Sequence, residues 1–221
     1  MKLRFQNRRD RALTLVEVLV IIVVIAVLAV MLLPPVTPST RVAQRINCLS
    51  NLEQVGMSFR IWAGDNDNKY PMSVSVTNGG AMELIAAGNV AGCLQVMSNE
   101  LTTPKILVCP ADLEHPDAAT NFMTLNNSNI SYFINPDASE AYPQMLMSGD
   151  DNLAVDDAPV KSGLVEIPFK EVSWTLDRHG AAGNILWADG SISEISSSGL
   201  KSAAKLSIQG TPITTNRLAI P

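Results

Sequence analysis

Glu17 is the residue whose chemical type fits its surroundings least. Residues 18–33 are sixteen consecutive apolar residues, and with residues 13–17 the segment reaches 21. That length spans the hydrocarbon of a bilayer as a helix. Inserting a carboxylate into the membrane within such a segment costs about 2.5–3.5 kcal/mol on insertion scales. Glu17 is therefore a candidate functional residue.

His179 and Asp189 are a second candidate pair, for catalysis or metal binding. Asp189 and Gly190 are the residues that a two-residue type I′ turn requires, so we predict the turn of a hairpin here. His179 then lies beyond the far end of the strand that leads to this turn, and six extended residues span about 20 Å. This geometry favours a structural role, with His179 packed or hydrogen-bonded at the sheet edge.

The acidic run of residues 148–157 is the best candidate for a metal site. Its carboxylates suit calcium, which prefers oxygen ligands: Asp150, Asp151, Asp156 and Asp157. A solvated acidic loop explains the same residues.

The chain has only two histidines and carries no P-loop, dinucleotide fingerprint, His-Glu-x-x-His or Gly-x-Ser-x-Gly motif. We therefore expect that the protein is not an enzyme and needs no cofactor. Calcium is the one ion that we consider as a candidate ligand.

The charge of the chain is divided unevenly at Leu13. The twelve residues before it carry five basic and one acidic side chain, a net charge of +4, whereas the remainder carries 11 basic and 20 acidic side chains, a net charge of −9. A basic flank before an apolar helix stays in the cytoplasm, and the part of the chain beyond the helix crosses the membrane. The acidic remainder excludes nucleic acid as a partner, because phosphate binding needs clustered Lys and Arg.

Two ordinary export signals compete to explain the N-terminal segment. A secretory signal peptide does not fit, because the apolar region is too long and Pro34-Pro35-Val36 is not a small-x-small cleavage site. A simple signal anchor explains the basic flank and the helix, but it leaves Glu17 unexplained.

Four segments are expected along the chain. Residues 1–12 form a basic leader, 13–35 a transmembrane helix, 36–64 an amphipathic helix and 65–221 a globular head. The proline pair at 34–35 ends or kinks the first helix, since proline removes a backbone donor. Apolar residues at three- and four-residue spacing predict one buried face of the second helix: Val42, Ile46, Leu49, Leu52, Gly56, Phe59 and Ala63.

The head is predicted to be an antiparallel sheet with short helices. The helices cover residues 80–88, 91–100 and 199–207, and Ser198 caps the last. Short apolar runs between turn residues indicate strands, at residues 105–109, 130–134, 144–147, 164–167, 172–175, 184–188 and 191–195. The polar tail, 209–221, is expected on the surface. The fold class is therefore α+β.

Residues 12–17, with the sequence ALTLVE, resemble the processing site of type IV pilins and type II secretion pseudopilins. The resemblance implies that a prepilin peptidase cuts between Ala12 and Leu13 and that the new amino group is methylated. It also implies that Glu17 faces the positively charged amino terminus of a neighbouring subunit during assembly. The family prefers Gly before the cut and Phe or Met after it, where this chain has Ala and Leu.

The resemblance extends to a subgroup of these proteins with a His-x9-Asp-Gly signature. The matching stretches are residues 48–71, the CPAD sequence at 109–112, and His179 followed after nine residues by Asp189 and Gly190. The resemblance implies a pilin-like fold, in which a long N-terminal helix packs on a C-terminal antiparallel sheet.

The three cysteines, Cys48, Cys93 and Cys109, lie outside the cytoplasm in this interpretation, where disulfides are chemically allowed. The subgroup resemblance places cysteines at the Cys48 and Cys109 motifs and not at Cys93. Cys48 also lies on the apolar side of a helix, and Cys109 lies at a predicted strand exit. We expect Cys48–Cys109 as the bond, if one forms, with Cys93 free. A reduced Cys48 buried against the sheet is the alternative.

The resemblance implies a structural subunit of a type IV pilus or a type II secretion pseudopilus. Its partners are then prepilin peptidase, other pilin or pseudopilin subunits and the lipid bilayer. The expected location is a single pass of the inner membrane, with the leader in the cytoplasm and the head in the periplasm or on the cell surface. The alternative is a binding module outside the cytoplasm that a pilin-like segment exports and anchors.

Overall fold

A computed structural model describes residues 14–32 and 36–221, and it describes side chains for residues 14–29 and 42–221. The basic leader, the cleavage site at Ala12 and Leu13, and the proline pair lie outside the described residues. The chain divides into two compact units, residues 1–40 and 41–221.

The first unit contains helix α1, Leu15–Leu32. Apart from Glu17, its residues are all apolar, and no Gly or Pro interrupts it. Every described side chain of this helix is exposed, Leu15 at 80% and Leu28 at 54%. Within the part of the chain that is described, none of the helices combines the length and the apolar character needed to cross a membrane.

Helix α2, Val36–Gly64, lies against the head from residue 41 onward. Its buried residues recur every three or four positions, as an amphipathic helix requires: Cys48, Leu52, Val55, Phe59, Trp62 and Ala63. Gly56 lies where helix and sheet approach closely, because a Cβ there would stand 2.6 Å from the Leu186 Cδ1 atom.

The predicted face of α2 was wrong at its beginning. Val42 and Ile46 are 56% and 61% exposed. The side of the helix that contacts the head at this level is polar, because Gln44 donates to the Pro110 carbonyl and Arg45 to the His179 carbonyl.

Nine strands form two antiparallel sheets in the second unit. The larger has the order β5-β9-β1-β2-β7-β8 and the smaller the order β4-β3-β6. The strands are β1 (Tyr132–Ile134), β2 (Leu146–Asp150), β3 (Leu153–Val155), β4 (Ala158–Pro159), β5 (Gly163–Ile167), β6 (Val172–Trp174), β7 (Ala182–Trp187), β8 (Ile192–Ser196) and β9 (Asn216–Ile220). Short helices α3 (Met82–Ala86) and α4 (Val90–Val96) precede them, and α5 (Ser197–Ile208) joins β8 to β9.

The larger sheet has a hydrophobic core on each face. Because side chains alternate along a strand, Tyr132 and Ile134 of β1 belong to the core beneath α2, and Phe133 belongs to the opposite core. Helix α5 covers that second core with Leu200, Ala203 and Ala204. The predicted α+β fold, with N-terminal helices followed by an antiparallel sheet, is confirmed.

Two predicted segments of the head were wrong. Residues 105–109 are not a strand, because Pro104 begins a 3-10 turn at Pro104–Leu107 and the Thr103 side chain caps it. The predicted surface tail is at the surface only in its first half: residues 209–215 are exposed or half-buried, whereas β9 lies inside the larger sheet between β5 and β1. Only three apolar residues at the end of β9 signal this, at 218–220, and all three are buried.

Local caps and turns also differ from the predictions. Ser196, and not Ser198, caps α5 by accepting from the Gly199 amide. The β7–β8 hairpin has a three-residue loop, 188–190, closed by a bond from the Gly190 amide to the Trp187 carbonyl. Only Gly190 in that loop has a left-handed φ, of 85°, so the turn is not type I′.

Candidate functional site

Glu17 and Thr14 form a reciprocal cap at the first turn of α1. The Thr14 amide and hydroxyl both donate to Glu17 Oε2 at 3.0 Å, and the Glu17 amide donates to Thr14 Oγ1 at 3.3 Å. This is a capping box, in which a Thr and a Glu three residues apart satisfy backbone donors that a helix start leaves unpaired. The sequence interpretation missed this role, although the Thr-x-x-Glu spacing signals it.

The structure joins Cys48 of α2 to Cys109 by a disulfide, with the Cα atoms 4.9 Å apart. This is the pair that the resemblance implied. Cys93 is free and fully buried, and burial raises the pKa of its thiol to about 12. The bond attaches the loop after the 3-10 turn to the buried face of α2, where the Asn51 side chain also donates to the Val108 carbonyl.

His179 packs against this disulfide. Its Nε2 atom lies 3.4 Å from Cys109 Sγ and 3.7 Å from Asp150 Oδ2. Burial, and then the charges of Arg178 and Arg45, lower the pKa of His179 to about 4, whereas burial raises the pKa of Asp150 to about 7. Between these two values both groups are mainly neutral, so their contact is not an ion pair.

Asp189 lies in the hairpin loop and has different partners. Its Oδ1 atom accepts from the Ser191 amide and hydroxyl at 2.8 and 2.6 Å, and Arg60 donates to its carbonyl at 3.2 Å. His179 shares none of these contacts. The structure therefore does not bring the two ends of the His-x9-Asp-Gly signature together.

Arg178 is the centre of a buried ion network that the sequence interpretation did not find. Its guanidinium lies 2.6 Å from Asp112 Oδ2 and 2.6 Å from Asp151 Oδ1, and it donates to the Ser131 carbonyl at 3.1 Å. The side chains of all three charged residues are at most 5% exposed. The sequence signals were the acid of the CPAD stretch, Asp151 of the acidic run, and the arginine beside His179.

His115 completes this network. Its Nδ1 atom lies 3.1 Å from Asp112 Oδ2 and 3.7 Å from Asp151 Oδ2. The hydrogen bond with Asp112 raises the pKa of His115. Although burial favours neutral Asp112, the bond from His115 and the charge of Arg178 hold the pKa of Asp112 well below its usual range.

The acidic run of residues 148–157 does not converge on one point. Asp150 is buried, and its Oδ2 atom accepts from the Asn184 amide and side chain at 2.8 and 3.0 Å. Asp151 binds Arg178 instead. Asp156 and Asp157 are exposed at the β3–β4 turn, where both have left-handed φ values, of 51° and 62°, as a type I′ turn requires.

Residues 7–33 match the prokaryotic N-terminal methylation motif. The match covers the expected cleavage position and Glu17, and it supports a prepilin-type protein related to type IV pilins. Such a motif fits a protein anchored in the inner membrane. No curated protein and no solved structure matches the chain.

Proposed function

We propose that the chain is a structural subunit of a type IV pilus or a type II secretion pseudopilus. In this proposal prepilin peptidase cuts between Ala12 and Leu13, the Leu13 amine is methylated, and the subunit assembles through its N-terminal helix. The observation that carries the proposal is the methylation motif over residues 7–33, with Glu17 inside an otherwise apolar α1.

The exposure of α1 supports this role. The large apolar side chains described for this helix are exposed, and an apolar surface of this kind marks a contact with lipid or protein. Lipid would cover the helix before assembly, and neighbouring helices would cover it afterwards. The leader would stay in the cytoplasm, and the head would lie in the periplasm or on the cell surface.

The capping box is compatible with processing. Thr14 and Glu17 both follow the proposed cut, so the mature chain keeps the pair. One oxygen of Glu17 binds Thr14. In the assembled filament the carboxylate would also offset the charged amino terminus of a neighbouring subunit, and a buried charge of this kind can set register.

The head, in this proposal, has no enzymatic role and needs no cofactor. Its disulfide and the contacts of Gln44, Arg45 and Asn51 hold it to α2, so the helix and the head would enter a filament as one body.

The second candidate is a membrane-anchored binding module. A small cavity in the head, lined by Arg178 and by four acidic residues among others, favours that alternative.

The experiment is to express the full chain with a prepilin peptidase and its assembly system, and to analyse membrane and sheared fractions. We expect an intact mass that lacks residues 1–12 and includes one added methyl group, and we expect the protein in sheared filaments. A mature chain beginning at Met1, or after residue 34, contradicts the proposal. A correctly processed protein that stays dispersed in the membrane supports the binding module.

A further inference from the structure

Three ligand atoms of Asp112, His115 and Asp151 lie within 4.8 Å of one another. His115 Nδ1 is 3.1 Å from Asp112 Oδ2 and 3.7 Å from Asp151 Oδ2. Ligands held about 2.0–2.2 Å from a tetrahedral ion are separated by roughly 3.3–3.6 Å. The two observed separations fall on either side of this range, and the two carboxylate oxygens lie within 4.8 Å of each other, so side-chain movements would place all three atoms around one ion.

A second observation points to a ligand at this place. A cavity of about 110 Å³ adjoins the two carboxylates of the cluster. It is lined by Asp112, Asp151, Arg178 and Asn152, among others, and His115 is not one of its lining residues. Asn152 is 8% exposed, and neither its Oδ1 nor its Nδ2 atom has a hydrogen-bond partner in the described part of the chain. An unpaired buried amide is unfavourable, so a group that binds it would be stabilised there.

The charge of the cluster also favours a cation. Arg178 offsets one of the two carboxylates, which leaves one net negative charge beside His115. Glu114 and Asp177 at the cavity rim add further negative charge. Arg178 would remain hydrogen-bonded to both carboxylates, as groups that orient metal ligands commonly are.

We propose that Asp112, His115 and Asp151 bind one divalent transition-metal ion, with Zn²⁺ as the probe. The imidazole nitrogen favours this class over calcium, which takes oxygen ligands. On binding, the ion replaces the proton that His115 Nδ1 holds between the two carboxylates, and that proton passes to solvent. The Asn152 amide oxygen or a water molecule takes the remaining position. The His115 side chain, 17% exposed, gives the ion a route of entry.

The test uses the oxidised full-length chain in detergent, freed of metal by a chelator. Isothermal titration with Zn²⁺ should give one site per chain, and parallel titration with Ca²⁺ should give much weaker binding. His115→Gln should weaken Zn²⁺ binding at least tenfold. The matched control is Asp156→Asn with Asp157→Asn, which removes two exposed carboxylates of the same acidic run and should leave binding unchanged.

Three results would overturn the proposal: no Zn²⁺ binding by the unmodified chain, equal binding by His115→Gln, or tighter binding of Ca²⁺ than of Zn²⁺. If His115→Gln fails to fold, Co²⁺ added to the unmodified chain decides instead. An intense visible spectrum of tetrahedral Co²⁺ that Zn²⁺ removes supports the site, and the absence of that spectrum contradicts it. The outcome is independent of filament assembly, because the binding site lies entirely within the head.

Discussion

Glu17 has one observed role and one proposed role, and substitution can separate them: its carboxylate caps α1, and in the proposal it would also neutralise a neighbouring subunit. Glu17→Gln keeps a capping box, because glutamine also serves at that position, but it removes the charge. We expect Glu17→Gln and Glu17→Ala to reduce incorporation into sheared filaments about tenfold, the change that about 1.4 kcal/mol produces. Quantitative immunoblots of sheared and membrane fractions measure this.

Thr14→Val is the control for the capping role. It removes the hydroxyl that binds Glu17 and leaves the charge, so the helix start should lose about 0.5–2 kcal/mol while incorporation continues. Incorporation of Glu17→Gln at the level of the unmodified chain would show that the charge has no role in assembly.

Arg178 is expected to contribute strongly to the stability of the head. Arg178→Ala would leave Asp112 and Asp151 buried without their cation, and breaking a buried pair costs about 3–5 kcal/mol. Urea denaturation measures the change. Arg217→Ala is the matched control, because Arg217 is 45% exposed in its pair with Asp137 and such a pair contributes about 0–1 kcal/mol. Equal effects of the two substitutions would refute the importance of the network.

His179 should make the head less stable in acid. Its pKa is about 4 in the folded chain and about 6.5 when unfolded, so the unfolded state binds more protons between these values. The contribution is fully present above pH 6.5 and is lost as the pH falls toward 4. Asp150, with its raised pKa, acts in the opposite direction over this interval. Free energies of unfolding for His179→Gln should therefore fall less steeply from pH 6.5 to 4 than those of the unmodified chain. Parallel curves would contradict the prediction.

At the scale of the element, the disulfide determines how α2 is held. It joins residues 61 positions apart, and the chain-entropy model gives such a link about 4 kcal/mol, often less in practice. Reduction should lower the free energy of unfolding by up to that amount, as measured by denaturation with and without a reductant. Cys93→Ser, the control, should show the same loss on reduction.

Peptide mapping without a reductant should recover Cys48 linked to Cys109, and a Cys93–Cys109 peptide would contradict the pairing.

At the scale of the whole molecule, residues 41–221 should fold without α1. Both hydrophobic cores and the disulfide lie within this unit. We expect the fragment to be soluble and to unfold in one cooperative transition in urea. The processed chain in detergent is the comparison and should have a similar midpoint. A fragment without a cooperative transition would show that α1 is needed for the head to fold.

The features of this protein that depend on local pattern could be predicted from its sequence. The methylation motif, α2, and the positions of β1, β5, β6, β7 and β8 follow from short motifs and from side-chain period, which neighbouring residues set. The Cys48–Cys109 pair was expected through the resemblance. The Thr14–Glu17 capping box was also visible in the sequence, but the charge of Glu17 drew the interpretation toward assembly alone.

The contacts between residues that are distant in the sequence became known only from the folded chain. The sequence of β9 has the pattern of a polar tail, but in the folded chain β5 and β1 pair with it on both sides. Arg178 forms ion pairs with Asp112 and Asp151, which are distant from it in the sequence. His179 contacts the disulfide and not Asp189. Such contacts depend on strand order and on the burial of unlike charges together. Neither strand order nor the burial of opposite charges gives a periodic pattern in the sequence, because these contacts stabilise the chain only when the whole sheet has formed.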